Sequence, residues 1–148
     1  MDEVDQRILS ILQEDARNNI NAEISDRVGV SPSTVGKRIR KLEESGVVRG
    51  YVPEIDYDRA GYPLHVLFIC SVSITERADL LRSALDVRGV VSVKELMTGG
   101  GNVHVEVVGA DNDDITRLAS AIDDLGIAIN EEILVKDGHQ RPASVFEG

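Results

Sequence analysis

Tryptophan is absent, and two phenylalanines and three tyrosines are all the large aromatics in 148 residues. A chain this poor in flat rings has no platform on which to stack the bases of a single strand, and its core must be built from Val, Ile, Leu and Ala. A single cysteine, Cys70, rules out an intramolecular disulfide and any multi-cysteine zinc or iron–sulfur centre. No stretch reaches the roughly 18 to 20 apolar residues of a membrane span. The opening MDEVDQRILS is acidic where a signal peptide would be basic. These absences predict a cytoplasmic protein with no membrane partner. Lysine is also scarce, at four of the 16 bases.

Apolar residues make up 42%, enough for one or two compact domains. The net charge of −10 is unevenly spread: residues 1–50 carry nine acids and eight bases, whereas residues 51–148 carry 17 acids and eight bases. The acidity therefore belongs to the second part, and nucleic-acid binding by the first is not opposed by it. An acid-rich, lysine-poor surface also resembles proteins of salt-loving cells, in which carboxylates keep a protein hydrated.

Hydrophobic spacing divides residues 1–50 into three helices. Val4, Ile8, Ile11 and Leu12 share one face of a helix over residues 2–14. Asn21 is the expected N-cap of a short second helix with Ile24 and Val28 inward, stopped by Gly29. Ser31 before Pro32 is an N-cap followed by proline at the first helical position, and the third helix runs through Val35, Ile39 and Leu42 to Gly46. Two helices joined by a short glycine-containing turn make a helix-turn-helix. VVRGYVPEID then predicts a short strand or hairpin, and DYDRAGYP a linker, so residues 51–62 read as strand and linker.

Residues 63–136 repeat one pattern twice: strand, helix, glycine, strand. Leu64 to Ile74, Val90 to Leu96, Asn102 to Gly109 and Ile127 to Lys136 are the expected strands; Leu80, Leu81, Ala84, Leu85 and Val87 mark one helix, and Ile115, Leu118, Ala119, Ile122 and Leu125 the other. This βαββαβ order predicts a ferredoxin-like domain, so the chain as a whole is α+β with a winged-helix-like N-terminal domain. A sheet with helices on one face leaves the other open. If that face carries part of Leu64 to Cys70 and Val103 to Val107, it is an apolar patch too large for a monomer and predicts a sheet-to-sheet homodimer. The tail, residues 137–148, reads either as disordered or as crossing to another subunit.

On the third helix, the side opposite Val35, Ile39 and Leu42 holds Ser33, Lys37, Arg40 and, further along, Glu44, flanked by Thr34 and Lys41, with Arg38 adding a fourth base. That is chemistry for phosphates and guanine edges in a major groove. Ser31, Ser33, Thr34, Lys37, Arg38, Arg40 and Lys41 are the candidate contacts to double-stranded DNA, set against the plainer reading of a solvated charged face. Gly36, inside this helix, either admits the DNA backbone or avoids crowding against a neighbouring helix. The glycines of MTGGGNVHV lead into a strand rather than a helix, which predicts a β-hairpin turn and not a phosphate cradle. His65, His104 and His139 lack ligand-like spacing, and Cys70 lies in an apolar run without a nearby base, so neither predicts a metal site or a nucleophile. Pairs such as Asp113 and Asp114, or Glu131 and Glu132, read as solvated surface.

VSPSTVGKRIRKLEESGVVRGYVPEID followed by the βαββαβ half resembles the Lrp/AsnC family of prokaryotic transcription regulators over essentially the whole chain, and DQRILSILQEDAR fits the family's first helix. The resemblance implies an N-terminal DNA-binding domain and a C-terminal regulatory domain. It also implies dimers assembling into tetrameric or octameric rings, no cofactor, and a small effector, usually an amino acid, held between dimers. In the family the hairpin reads Thr-Gly followed by an Asp that helps hold the effector. Thr98 and Gly99 match, Gly100 and Gly101 replace bulkier residues, and Asn102 stands at the Asp position. An amide supplies no charge to an ammonium group, so the resemblance implies weakened or redirected amino-acid binding, which Asn102→Asp would raise, and leaves an altered effector or none open. Two rival functions share the layout: an enzyme resembling the siroheme decarboxylases, which would need His and Arg around the sheet, and a ligand-sensing module that has lost DNA binding. Four bases on the third helix favour the non-enzymatic regulator.

Overall fold

Asp2 starts the first helix of the computed structural model, which describes residues 1–73, 75, 77–98 and 100–147. Its carboxylate accepts the Asp5 N–H at 2.9 Å while the Asp5 carboxylate accepts the Asp2 N–H at 3.2 Å, so α1 (Glu3–Asp15) begins with two of its orphan donors satisfied. Helix α2 (Asn21–Val28) follows. Its N-cap is Ile20, not Asn21: Glu23, one turn in, accepts the Ile20 N–H and takes over the task a polar cap would perform. Gly29 closes α2 in the left-handed region at φ +80°, and the Ser25 hydroxyl donates to the Val30 carbonyl, fixing the turn. Helix α3 (Pro32–Glu44) starts on Ser31 and Pro32 as the sequence predicts, and ends where Gly46 turns to φ +80°.

Ile8, Leu9, Ile11, Ile24, Val28, Val35 and Leu42 form the buried core of these three helices. Phe146, from the short 3-10 turn Ser144–Phe146, packs against the same core beside α1. Residues Met1–Pro53 and the tail from residue 139 accordingly make one compact unit, and Glu54–Gly138 makes the other. Within this chain the tail's one large aromatic finds apolar surface on the first unit.

The strand expected within residues 51–62 does not form. Residues 49–56 carry no ladder hydrogen bonds, and Val52 is 90% exposed, because a lone extended segment has no neighbour to pair with. The expected linker is instead an ordered turn: Asp56 accepts the Arg59 and Ala60 N–H groups, Tyr57 O accepts the Tyr62 N–H at 2.8 Å, and Gly61 takes φ +99°. This turn belongs to the second unit.

In that unit β1 (Leu64–Ser71), β2 (Val90–Glu95), β3 (Val103–Gly109) and β4 (Ala128–Leu134) form an antiparallel sheet in the order β2-β3-β1-β4, with α4 (Arg77–Leu85) and α5 (Asn112–Asp124) between β1 and β2 and between β3 and β4. This is the ferredoxin-like order. Ile74, at the end of the expected first strand, lies outside the described residues. Asp111 caps α5 by accepting the Asp114 N–H, and Asp114 reaches back to the Ala110 N–H, each at 2.9 Å. No described helix is long and apolar enough to cross a membrane.

Alternation decides which side chains the helices cover. Val66, Phe68, Cys70, Val103, Val105 and Val107 join Leu118, Ile122 and Ile127 in the core. The open face therefore receives the other set: His65, Leu67 and Ile69 from β1, His104 and Glu106 from β3, and Ile133 opposite Leu67 on β4. It is less apolar than the sequence runs suggest. The Glu106 carboxylate holds both His65, at 2.6 Å, and the Ser92 hydroxyl, at 2.8 Å.

Candidate nucleic-acid interface and the hairpin loop

The cap of α3 fixes how its first turn is presented. Ser31 Oγ accepts the Thr34 N–H at 3.2 Å and lies 2.8 Å from Thr34 Oγ1 and 3.2 Å from Ser33 Oγ. Ser31 is thus occupied by the helix end, and Thr34 is partly enclosed beside it, while Ser33 stays exposed. Further along, Lys37, Arg40 and Lys41 are exposed. Among the described residues no carboxylate forms an ion pair with any of the three. Three cations thus project from one helix without an internal neutralising partner.

Arg38 does something else. Its guanidinium turns back onto α1, 2.7 Å from an Asp2 carboxylate oxygen and 3.1 Å from Asp5. The hydrogen bond from Arg38 leads the causes that hold the Asp2 carboxyl down at about 2, with the Asp5 N–H adding to it. Of the seven candidate DNA contacts, Arg38 is therefore a tie between α3 and α1, and Ser31 is the helix cap. No local sequence signal marks the Arg38 pair, whose partners are 36 residues apart.

Gly36 sits where α3 meets the start of α2. A Cβ there would come within 2.9 Å of the Asn21 amide nitrogen, so of its two sequence readings the geometry gives the crowding one a contact. Elsewhere in the unit Arg27 grips Glu14 through two hydrogen bonds of 2.8 and 3.0 Å, and Tyr51 donates to Glu43 at 2.9 Å. Both ties bind neighbouring segments together.

The hairpin between β2 and β3 overturns one expectation. Asn102 is 4% exposed, and its side chain is spent on Val72: Oδ1 accepts the Val72 N–H at 3.0 Å and Nδ2 donates to the Val72 carbonyl at 3.1 Å. The amide extends the sheet by one rung where β1 leaves it. It does not stand ready for an effector's ammonium group, and an aspartate in its place would set a carboxylate against a carbonyl oxygen. Gly101 adopts φ +59° and donates its N–H to Ser71 Oγ at 3.2 Å, which also accepts from the Asn130 amide at 2.7 Å. Thr98 Oγ1 donates to the Gly100 carbonyl at 3.3 Å, and Gly99 lies outside the described residues.

The other reactive types are placed apart. Burial pushes the Cys70 thiol up to about 11, which leaves it protonated and inert at neutral pH. His65 is paired with Glu106, His104 lies opposite Ile69 and Lys94, and His139 belongs to the first unit.

Comparison with known proteins agrees with this geometry. Residues 1–49 match the family described as winged helix-turn-helix DNA-binding. The HTH-type transcriptional regulator AldR of Mycobacterium tuberculosis is 33% identical over 78% of the chain, and the match spans 65% of that relative's length. AldR of Mycolicibacterium smegmatis is 30% identical, covering 79% of the chain and 69% of the relative. The crystal structure of an AsnC family transcriptional regulator from Agrobacterium tumefaciens superposes with a TM-score of 0.76 at 26% identity, covering 95% of this chain and 93% of that one. With a helix-turn-helix unit followed by a ferredoxin-like sheet, and with relatives of this kind along most of its length, the chain belongs to the Lrp/AsnC family of HTH-type transcriptional regulators.

Proposed function

We propose that the protein regulates transcription from the cytoplasm by binding duplex DNA sequence-specifically through α3. Ser33 and Thr34 meet the groove near the helix start, and Lys37, Arg40 and Lys41 supply phosphate and base contacts. The observation that carries this reading is the set of three exposed cations on α3 that no internal carboxylate neutralises. Binding to phosphates releases counterions, so a protein using these residues loses affinity steeply as salt rises. Gel shift of the wild type, Lys37→Ala and Arg40→Ala on DNA from its own upstream region tests the reading: a shift abolished or weakened by either substitution supports it, and identical shifts with both remove α3 as the contact surface.

The protein acts as a homodimer, or a larger ring, that brings two copies of α3 to two half-sites. Leu67, Ile69 and Ile133 on the uncovered sheet face support self-association there. A small effector, an amino acid by family resemblance, reaches the hairpin through Thr98 and the backbone of Gly100 and Gly101 rather than through Asn102. The acid excess supports work in concentrated salt, which thermal melting in rising KCl measures. Light scattering of the full chain tests the dimer, with a monomer at micromolar concentration as the contrary result.

A further inference from the structure

A cavity of about 430 Å³ opens at the end of the sheet remote from the β2–β3 hairpin. Its volume falls within the roughly 300 to 1,000 Å³ typical of small-molecule sites. Val90, Val91 and Val108 give it an apolar part of its lining. Tyr57 and Tyr62, brought together by the ordered turn that begins at Asp56, line it as well.

Its charges are unusual for this acidic unit. Arg88 and Arg117 line the cavity against one carboxylate, Asp114. Among the described residues Arg88 has no ion-pair partner, and Arg117 lies 3.6 Å from Asp114, too long for a strong hydrogen bond. Asp114 is already engaged, since its other oxygen accepts the Ala110 N–H at 2.9 Å. Gly89, at φ +103° with Leu118 and the Val108 carbonyl 3.0 Å from where a Cβ would sit, places the Arg88 carbonyl to accept from Arg117 Nη2 at 3.3 Å. The Arg117 side chain is thus tied to the backbone of Arg88 in the lining of the cavity.

We propose that this cavity binds a small monocarboxylate with an apolar body and no ammonium group. The guanidiniums of Arg88 and Arg117 take the carboxylate, because a planar donor fork matches two carboxylate oxygens and charge-assisted bonds of this kind are roughly twice as strong as neutral ones. The valines and tyrosine rings cover the body. An ammonium group would meet two guanidiniums against one carboxylate that already accepts the Ala110 N–H and faces Arg117, so the lining repels it on balance where it attracts a carboxylate. The site is separate from the hairpin and independent of the DNA contacts on α3.

Calorimetric titration of the full chain with 3-phenylpropionate and L-phenylalanine tests this, since the two probes share a carbon frame and differ by the ammonium group. The expected result is saturable binding of 3-phenylpropionate, binding of phenylalanine at least tenfold weaker, and a tenfold or greater loss for 3-phenylpropionate in Arg88→Gln. Arg117→Gln serves as the second variant, with unchanged melting of each variant confirming its fold. Absence of 3-phenylpropionate binding at millimolar concentration, equal or tighter binding of phenylalanine, or binding indifferent to both substitutions overturns the proposal. None of these outcomes depends on whether the protein binds DNA.

Discussion

Arg38 and Asp2 form a 2.7 Å ion pair that joins the helix of the DNA reading to the first residue before α1. One of the four bases expected to contact DNA is thus a fastening inside the three-helix unit. Its position on α3, beside Lys37 and Arg40, gives no hint of this.

The pair makes the stability of the first unit depend on pH in a defined window. The Asp2 carboxyl is lowered from 3.8 to about 2, so its contribution is fully present above pH 3.8 and is lost as the pH falls toward 2. Arg38→Gln should lower the melting temperature at pH 6, and its melting curve should converge with the wild type as the pH drops through that window. A constant difference across the range would mean that the Arg38 aliphatic stem, and not the ion pair, supplies the effect.

Asn102→Asp should destabilise the second unit and should not create an amino-acid site. It replaces a donor aimed at the Val72 carbonyl by a carboxylate, leaving buried polar groups unsatisfied at a cost of about 1 to 3 kcal/mol. Urea denaturation followed by far-UV circular dichroism measures this. A variant as stable as the wild type, with a new affinity for free amino acids, would restore the effector-facing role.

Phe146→Ala should destabilise the first unit by about 1 to 2 kcal/mol, since the ring is partly buried against the three-helix core and full burial of such a side chain is worth about 1.5 to 3 kcal/mol. Removing the tail from residue 139 should cost at least as much. Chemical denaturation of both variants reads the effect, and unchanged midpoints would leave the tail without a structural role in that unit.

What the sequence made legible was carried by local signals. Ser31 with Pro32, and Gly29 and Gly46, mark helix ends by backbone requirements that act within a few residues. The twofold strand-helix-strand period gave the sheet its order because alternation and helical spacing are also local. Three of the misses involve partners far along the chain. Arg38 meets Asp2, Asn102 meets Val72 and Phe146 meets α1 only after folding. The strand expected around Val52 failed for the complementary reason: its composition is right, but a strand exists only with a neighbour. Asn21 lost its capping role to Ile20 because Glu23 supplies the needed acceptor from inside the helix. Of the candidate DNA set, helical spacing identified Lys37, Arg40 and Lys41 as exposed, and it has no means of telling a free arginine from a paired one.

The measurement closest to the central claim is fluorescence anisotropy of a labelled operator duplex, titrated at several salt concentrations with the wild type, Lys37→Ala, Arg40→Ala and Arg38→Gln. The account predicts that Lys37→Ala and Arg40→Ala weaken binding while melting as the wild type does. A lost phosphate contact lowers the salt slope by about 1 on all sequences, whereas a lost base contact costs about 1 to 3 kcal/mol and relaxes preference at one position. Arg38→Gln should leave the salt slope unchanged and show its effect in melting. Wild-type affinity and salt slope in both Lys37→Ala and Arg40→Ala would contradict the assignment of α3 as the surface that meets DNA.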